Sequence, residues 1–419
     1  MKYSSKSIYK TFLVIFNVLL FVIIVLVAVE LNKSPIEMAK ENSQPKSASV
    51  KVKEEGKAKG FVNAKSKTPN SFAFKASISA SKYYSFYTYG SSGVKSPKNF
   101  KNLGWIPFWD QEKAFSSFQK NSGVFSHISL FWYILREDGS VKKYIYAVED
   151  KSIINYAHSK NVKVLALIAN LPDEDEGGDW DYSRVDKVIE TSAARKKHVA
   201  DLVALSKKNG FDGVNIDYEA MREYQKDNFT LFIKELSAAL HRNGKILAVA
   251  LHPKKSEGDP QYSNGSQAQD WKEIAKYADQ LHLMTYGEHW DTSSPGPIAS
   301  VKWVKSILSY ANSLIPRQKL FAGVPLYGYD WSNTSEANGL TYSDVKNLIS
   351  KYQPKVLLDS RSQSKHFGYR DSAGVNHTVW FEDKDTIQAK MNLFNNLGIS
   401  NTAFWRLGSE DSRVWSILR

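Results

Sequence analysis

The sequence predicts an α/β fold, a (β/α)8 TIM barrel with a small α+β insertion between barrel strands seven and eight. Eight short apolar runs follow one another between residues 104 and 408, and segments with the helical spacing of apolar residues separate them. Strands that alternate with helices imply a parallel sheet. Eight such units in about 320 residues are enough to close a barrel.

Each predicted strand is an apolar run of ordinary strand length. The eight runs span residues 104–109, 127–135, 162–170, 211–219, 245–252, 280–287, 319–328 and 401–408. Between them, residues 194–210 illustrate the helical segments, with apolar residues at helical spacing and a closing glycine. The stretch between the last two runs is too long for one helix, and residues 329–381 contain strand-like pieces such as PKVLLDS and HTVWFED. We therefore expect the insertion there, on the upper rim of the barrel.

The N-terminus combines lysines with a long apolar run. Lys2, Lys6 and Lys10 precede residues 12–29, which Asn17 alone interrupts. As a helix this run extends roughly 27 Å, enough to cross the hydrocarbon core of a membrane. A cleaved signal peptide, whose apolar part is usually about 7–15 residues, is the alternative. We expect residues 1–30 to anchor the chain in the cell membrane, with the folded domain outside; secretion after cleavage stays open.

Residues 31–99 predict a basic, flexible tether, because they are rich in Lys, Ser and Ala and poor in large aliphatic residues. Residues 1–100 contain 16 Lys, no Arg, 5 Glu and no Asp, so +11 of the net charge of +13 lies there. Since the rest of the chain is nearly neutral, we expect no nucleic-acid partner. All 11 Trp occur at or after Trp105, which places the folded domain at residues 100–419.

The run FDGVNIDYE (211–219) has polar residues at alternate positions. Asn215, Asp217 and Glu219 share one parity, and the apolar residues between them share the other. Because alternate residues of a barrel strand face the interior, we expect the three polar groups to rise inside the barrel toward its C-terminal mouth, where active sites lie. Two neighbouring carboxylates shielded from water raise one pKa, which suits a general acid. A strand end already in solvent is the ordinary alternative.

The segment DGVNIDYE resembles the D-x-x-D-x-D-x-E signature of glycoside hydrolase family 18, the chitinase-like barrels. Asp212, Asp217 and Glu219 match acids of that signature, and Asn215 replaces the middle acid. An amide can hydrogen-bond Asp217 but cannot share a proton with it, so the resemblance leaves the pH optimum and the rate open to change. Both Asp212 and Asn215 are predicted to belong to the substrate-binding set.

Other segments extend the resemblance over roughly residues 100–419. LMTYG (283–287) resembles the Met-x-Tyr element of the family's sixth strand, and AFWRLG (403–408) resembles its eighth-strand Trp element. HTVWFED together with AFWRLGSED is most similar to the bacterial branch that contains spore-cortex-lytic and cell-wall N-acetylglucosaminidases.

The resemblance implies a mechanism and a role for each matching residue. Glu219 is expected to act as general acid and then as base. Asp217 is expected to bind the N–H of the substrate's 2-acetamido group, whose oxygen then attacks the anomeric carbon, with net retention. Tyr286 would donate its hydroxyl to that oxygen, Met284 shares its inward parity, and Trp405 would form an apolar floor under the sugar.

Trp105, Tyr327 and Glu288 are weaker candidates for sugar contacts. They lie near the ends of predicted strands, where core packing or a place on the rim is the alternative for each. The chain has no phosphate loop, no dinucleotide fingerprint and no His pair at metal-ligand spacing on a helix, so we expect no cofactor and no metal. The absence of cysteine excludes thiolate chemistry.

Two functions remain from the sequence. The favoured one is a glycoside hydrolase of the cell surface that cleaves β-1,4-linked N-acetylglucosamine polymers, with peptidoglycan preferred over chitin because a long basic tether suits work within a wall. The alternative is a catalytically inactive, lectin-like protein that binds such a polysaccharide. The retention of Asp217, Glu219 and Tyr286 together favours the enzyme.

Overall fold

The computed structural model describes residues 101–173, 178–259, 265–333 and 336–419. The predicted anchor (1–30) and tether (31–99) lie outside these residues. Within the described ranges, no helix combines the length and the apolar character needed to cross a membrane.

Eight parallel strands close into a barrel, as predicted. In chain order the strands are β1 (Asn102–Pro107), β2 (His127–Leu135), β3 (Val141–Lys143), β4 (Lys163–Ala169), β5 (Gly213–Asp217), β6 (Ile246–Leu251), β7 (Gln280–Leu283), β8 (Leu320–Pro325), β9 (Gly328–Ser332), β10 (Asn338–Leu340), β11 (Leu357–Asp359), β12 (Ser364–Arg370), β13 (Asn376–Phe381) and β14 (Asn401–Trp405). The order around the barrel is β1, β2, β4, β5, β6, β7, β8 and β14, and β14 pairs with β1 to close it. The short β3 forms an antiparallel hairpin with β2.

Helices cover the outside of the barrel, and one further helix, Tyr342–Tyr352, belongs to the insertion between β8 and β14. They are α1 (Gln111–Asn121), α2 (Lys151–Ser159), α3 (Tyr182–Ile189), α4 (Ser192–Lys208), α5 (Lys226–His241), α6 (Trp271–Tyr277), α7 (Val301–Leu314), α8 (Tyr342–Tyr352) and α9 (Lys384–Asn396). Most begin with a side chain that accepts a hydrogen bond from the first turn, which stabilises a helix by about 0.5–2 kcal/mol. These N-cap residues are Asp150, Asp181, Thr191, Asp270, Ser300, Thr341 and Asp383.

The predicted insertion is present between β8 and β14. Strands β9 to β13 form a five-stranded antiparallel sheet in the order β10, β9, β13, β12 and β11, and α8 accompanies it. A small apolar core holds this unit together around Val345, Phe367, Val379 and Phe381. The expected range of 329–381 agrees with the observed strands to within one residue at its start.

The side-chain alternation predicted for β5 is confirmed. The Tyr218 hydroxyl lies 2.7 Å from Nε2 of His198 on α4, and the Tyr218 ring stacks on Phe232 of α5, so this parity faces the helices. Asn215, on the other parity, is fully buried and bonds Trp105 of β1 and Ser129 of β2 across the barrel interior.

A hydrogen-bonded row of polar side chains crosses the lower part of the barrel interior. Gln280 Nε2 donates to His127 Nε2 at 2.9 Å, and His282 Nε2 donates to Gln280 Oε1 at 2.9 Å. Burial lowers the pKa of His127 to about 4 and that of His282 to about 3. Both rings are therefore neutral near pH 7 and take part in the row without adding charge to the barrel core.

His198 makes fold stability depend on pH. Burial lowers its pKa from 6.5 to about 4. Because the folded-state pKa lies below the unfolded value, the neutral ring stabilises the fold above pH 6.5, and this contribution declines as the pH falls toward 4. For His198→Gln we expect the difference in unfolding free energy from the wild type to shrink on acidification, by on the order of 1 kcal/mol per pH unit. Urea unfolding of both proteins at several pH values measures it.

Tyr218→Phe is the matched control, because it removes the hydroxyl that contacts His198 and leaves the buried imidazole in place. It should lose stability but keep the wild-type pH dependence, since burial lowers the pKa of His198. If the free-energy curves of His198→Gln and the wild type run parallel from neutral to acidic pH, His198 does not carry this linkage.

Candidate active site

A cleft of about 770 Å³ opens at the carboxyl ends of the barrel strands. Residues that end or directly follow β1, β5, β6, β7 and β14 form its floor and walls. Its lining comprises Trp105, Trp109, Phe131, Leu171, Trp180, Asp217, Glu219, Ala250, His252, Pro253, Lys255, Met284, Tyr286, Gly287, Glu288, His289, Trp290, Trp303 and Trp405. Aromatic rings dominate this set, and the two carboxylates of β5 lie among them.

Asp217, the last residue of β5, is deeply buried in this cleft. Only 7 % of its surface is exposed, and within the part of the chain that the structure describes its Oδ1 has no hydrogen-bond partner. Burial raises the pKa of its carboxyl group well above the usual 3.8. An unpartnered buried oxygen is costly, so Asp217 offers an acceptor to any N–H group that enters the cleft.

Glu219 lies two residues beyond Asp217, with its backbone held by the neighbouring strand. Its N–H donates to Asn170 Oδ1 at 2.8 Å, and its carbonyl accepts from Asn170 Nδ2 at 2.9 Å. Asn170 directly follows β4, the strand next to β5. The chain then turns sharply at Ala220, whose φ is 53°. The Asn170 amide thus fixes the position from which the Glu219 side chain extends into the cleft.

The charge state of Glu219 suits acid catalysis. Burial raises the pKa of its carboxyl group well above 4.5, and the negative charges of Asp217 and Asp179 raise it further. A carboxyl group that keeps its proton near neutral pH can protonate a leaving oxygen. Because Asp217 and Glu219 interact, their protonation steps belong to the pair.

Tyr286 and Met284 line the cleft beyond the end of β7. Burial keeps the pKa of Tyr286 above its usual value of 10, so its hydroxyl stays protonated and can donate a hydrogen bond. Its ring packs close to Gly323 of β8, where an added Cβ would lie 2.9 Å from Tyr286 Cε1 and 2.5 Å from Leu283 O. The glycine therefore makes room for the tyrosine.

Trp105 and Trp405 form part of the aromatic floor. Their ring centroids are 5.8 Å apart, at an interplanar angle of 70°. Trp109, half exposed at the edge, extends the surface with its centroid 6.2 Å from that of Trp405. Flat apolar rings of this kind pack well against the C–H groups of a sugar.

Asn215 lies below the cleft and does not line it. Its Oδ1 accepts from Trp105 Nε1 at 3.1 Å and from Ser129 Oγ at 3.2 Å, and its Nδ2 donates to the Ile216 carbonyl at 3.3 Å. Among the described residues no hydrogen bond joins it to Asp217. The structure thus corrects its assignment to the substrate-binding set, because its amide supports the Trp105 side of the floor from beneath.

Asp212 lies at the opposite end of the barrel, which corrects its assignment to the substrate-binding set. It precedes β5, and its Oδ2 accepts from the Val164 N–H at 2.7 Å and lies 2.8 Å from His158 Nε2. It lies five positions before Asp217, at a rise of about 3.3 Å per residue along the strand. Its contacts tie β5 to β4 at their amino ends.

Two other weak candidates make contacts within the protein. Tyr327 is not among the lining residues and packs behind Tyr286, with ring centroids 6.4 Å apart. Glu288 does line the cleft, but its carboxylate accepts from the Ser300 N–H at 2.6 Å and from Ser300 Oγ at 2.9 Å. Since Ser300 is the N-cap of α7, Glu288 stabilises the start of that helix.

Sequence reasoning missed Asn170 and His252. His252 directly follows β6, is 3 % exposed, and its Nε2 lies 3.4 Å from Glu219 Oε2. Burial lowers the pKa of His252 to about 4. The available signal was the same for both: a polar residue that directly follows an apolar barrel strand lies at the catalytic mouth. Within the described ranges, no group of three His, Asp or Glu side chains clusters as metal ligands do.

The fold and the site define a carbohydrate-cleaving enzyme, a glycoside hydrolase. The family model of glycosyl hydrolases family 18 matches residues 85–411, and the chain belongs to that family.

Curated relatives and solved structures agree with this assignment. The uncharacterized glycosylase YvbX of Bacillus subtilis is 32 % identical over 268 residues, 64 % of this chain and 77 % of the relative. The cortical fragment-lytic enzyme of Bacillus anthracis is 26 % identical over 298 residues, which are 70 % of this chain and 67 % of the relative. The spore cortex-lytic enzyme SleL of Bacillus cereus superposes with a TM-score of 0.70 at 25 % identity, covering 77 % of this chain and 75 % of that one. A chitinase of Chromobacterium violaceum superposes with a TM-score of 0.69 at 26 % identity, covering 76 % of this chain and 97 % of that one.

Gly323→Ala should displace Tyr286. The new Cβ would meet the Leu283 carbonyl at 2.5 Å and the Tyr286 ring at 2.9 Å, so the backbone of β7 or the ring must move. We expect destabilisation of about 1–3 kcal/mol and a lower turnover number at saturating substrate. Urea unfolding and steady-state kinetics measure the two effects.

Gly123→Ala is the matched control, since an added Cβ there meets nothing within 4 Å. It should keep both stability and activity. Wild-type activity in Gly323→Ala would show that the glycine does not position Tyr286.

Proposed function

We propose that this glycosidase cleaves β-1,4 bonds that follow N-acetylglucosamine, by substrate-assisted catalysis with retention of anomeric configuration. The position of Asp217 at the end of β5 and of Glu219 two residues beyond it, both lining the same cleft, carries this proposal. A protein nucleophile and a general acid must flank the scissile bond. Asp217 and Glu219 are two residues apart and line the same part of the cleft, which suits a nucleophile supplied by the substrate.

The remaining carboxylate of the described lining supports the same conclusion. Glu288 uses both its oxygens to bind Ser300, so it serves the helix cap and not the anomeric carbon. The 2-acetamido oxygen of the substrate is correctly placed on its own sugar to attack that carbon from the face opposite the leaving group.

In the first step one proton is transferred, and one bond to C1 breaks while another forms. Glu219 protonates the glycosidic oxygen as the C1–O bond breaks, and the acetamido oxygen bonds to C1 to give an oxazolinium ion. Asp217 Oδ1 accepts the acetamido N–H, and the Tyr286 hydroxyl donates to the acetamido oxygen. Asp217 thereby stabilises the positive charge that develops on the acetamido group.

The second step regenerates the acetamido group. Water attacks C1 while Glu219, now a carboxylate, takes a proton from it. The C1–O bond of the oxazolinium ring breaks, and the sugar leaves with its original configuration. Trp405 packs under the ring in both steps, since its indole lies in the cleft beside the two carboxylates.

Peptidoglycan is the polymer that we propose as substrate. Two similar proteins are named for lysis of spore cortex or its fragments. A tether of residues 31–99, if flexible, reaches about 45 Å, which suits a polymer close to the membrane. Chitin is the second candidate, because a chitinase has a similar structure at 26 % identity.

We also propose that the chain acts outside the cell and is anchored by residues 12–29. The length of that apolar run and the lysines before it support an uncleaved anchor. Membrane fractionation followed by N-terminal sequencing tests this. An intact N-terminus in the membrane fraction is expected, and a mature N-terminus beyond residue 29 in the medium would replace the anchor with a signal peptide.

Removing the proton or the acetamido acceptor should stop turnover. In Glu219→Gln the carboxyl proton is lost while the shape is kept, so we expect kcat to fall by about 10²–10⁴-fold with sugar binding retained. Asp217→Asn should reduce kcat by about 10²-fold or more, because its oxygen no longer carries charge. Released reducing ends from peptidoglycan and from chitin oligosaccharides, identified by mass spectrometry, measure activity and choose the substrate.

Glu223→Gln is the control, since it removes a nearby exposed carboxylate outside the cleft. It should match the wild type. Wild-type rates in Glu219→Gln would refute the assignment of the general acid, and muramic acid at the new reducing ends would refute the cleavage position.

A substrate without the acetamido oxygen should not react. If the sugar at the cleaved position is N-deacetylated, no group can close the oxazolinium ring, so we expect no cleavage there. With the acetylated substrate, NMR at early times should show the β-anomer. Cleavage of the deacetylated sugar, or an α-anomer as first product, would contradict substrate assistance.

A further inference from the structure

His252 is placed beside the catalytic acid from a different strand. It directly follows β6 and lines the cleft, and its Nε2 lies 3.4 Å from Glu219 Oε2. This nitrogen is buried and has no hydrogen-bond partner among the described residues. A buried polar atom without a partner is costly, and hydrogen bonds at catalytic groups often tighten when substrate binds. The Glu219 carboxyl group is therefore the natural hydrogen-bond partner for this nitrogen.

Neighbouring contacts fix His252 relative to the acid. Its backbone N–H donates to Gln269 Oε1 at 2.8 Å, and Gln269 Nε2 donates to the Ala250 carbonyl at 3.2 Å, which holds the backbone from which the ring extends. Gly265, with a φ of 114°, packs against both His252 and Ala220. A Cβ there would lie 3.1 Å from the Ala220 nitrogen and 3.2 Å from His252 Cδ2. One tight turn thus touches the imidazole and the residue that follows Glu219.

The His252 ring is neutral near pH 7. Burial lowers the pKa of His252 to about 4, so the contact with Glu219 is not an ion pair although the two atoms are within ion-pair distance. A neutral imidazole carries one N–H. With that hydrogen on Nε2, the ring can donate to Glu219 Oε2 without adding charge beside the developing oxazolinium ion.

We propose that His252 is a positioning residue that donates its Nε2–H to Glu219 Oε2. This donor directs the carboxyl proton to the other oxygen of Glu219 and stabilises the carboxylate that forms when the proton moves to the leaving group. The hydrogen bond is stronger to the carboxylate than to the neutral acid, so it favours the state reached during the reaction. The inference rests on the proposed role of Glu219 as general acid.

Other charged and titratable groups also face Glu219. Asp217 at the end of β5 and Asp179 on the loop after β4 raise its pKa, and Tyr286, after β7, interacts electrostatically with it. Lys255 lines the same cleft. None of these groups is altered when His252 is replaced, so a change in the pH profile of a His252 variant reports the missing donor.

The test is the pH dependence of kcat/KM for the full-length chain with His252→Phe. Loss of a donor to a carboxylate should lower kcat by about 10–100-fold and leave KM within about threefold. Because the donor stabilises the charged form, its loss raises the pKa of Glu219, and the basic limb should move to higher pH. His252→Gln, whose amide N–H can reach the same oxygen, should restore part of the rate and the wild-type limb.

The controls separate this inference from the proposed function. His241→Phe, on the outer face of the barrel, should keep wild-type kinetics. Wild-type rates in Glu219→Gln would overturn the acid assignment itself. If Glu219→Gln is inactive but His252→Phe keeps the wild-type basic limb, or His252→Gln restores nothing, His252 does not position the acid.

A measurement on the wild type covers the case in which His252→Phe does not fold. The ¹⁵N chemical shifts of the His252 ring report its tautomer. A neutral ring with the hydrogen on Nε2 is expected at neutral pH. The Nδ1–H tautomer, or a protonated ring, would overturn the proposal.

Discussion

Depth along β5 determines the chemistry of the site. The strand and the segment directly after it project three polar side chains, of Asn215, Asp217 and Glu219, at successive levels. Asn215, the lowest, is fully buried with its oxygen satisfied by Trp105 and Ser129. Asp217 keeps an oxygen that has no hydrogen-bond partner among the described residues, and Glu219 has a fifth of its side chain exposed. A register shift of one residue would turn all three toward the helices. The site therefore depends on the pairing of β5 with β4 and β6.

Neighbouring strands supply the second constraint, because each places one residue against the reacting groups. Asn170 after β4 holds both backbone groups of Glu219. His252 after β6 lies beside its carboxyl group, and Gly323 in β8 makes room for Tyr286. These contacts join separate strands, so the relative position of acid, acetamido acceptor and hydroxyl donor follows from closure of the barrel. A rigid scaffold of this kind preorganises a site better than a loop does.

The strand alternation of β5, the barrel and the insertion were predictable because their signals are local in sequence: period-two polarity, apolar runs and a gap too long for one helix. The contacts of Asn170 and His252 were not, since they depend on which strand ends meet. Asp212 was assigned to the cleft from a sequence motif, although its distance along the strand places it at the other end. Tyr327 and Glu288 were near the mouth as expected, but the packing of the insertion and the cap of α7 determine their contacts.

The amide of Asn215 changes how charge is shared among the three polar side chains at positions 215, 217 and 219. An aspartate there would add a third carboxyl group beneath Asp217, and the three would share protons. Asn215 instead bonds Trp105, Ser129 and the Ile216 carbonyl, and in the described part of the chain no hydrogen bond joins it to Asp217. Asp217 and Glu219 thus titrate as a pair whose pKa values are raised by burial and, for Glu219, also by the charge of Asp217. When Glu219 gives up its proton in the proposed mechanism, we propose that His252 stabilises the carboxylate that forms. The barrel places His252 Nε2 at 3.4 Å from Glu219 Oε2.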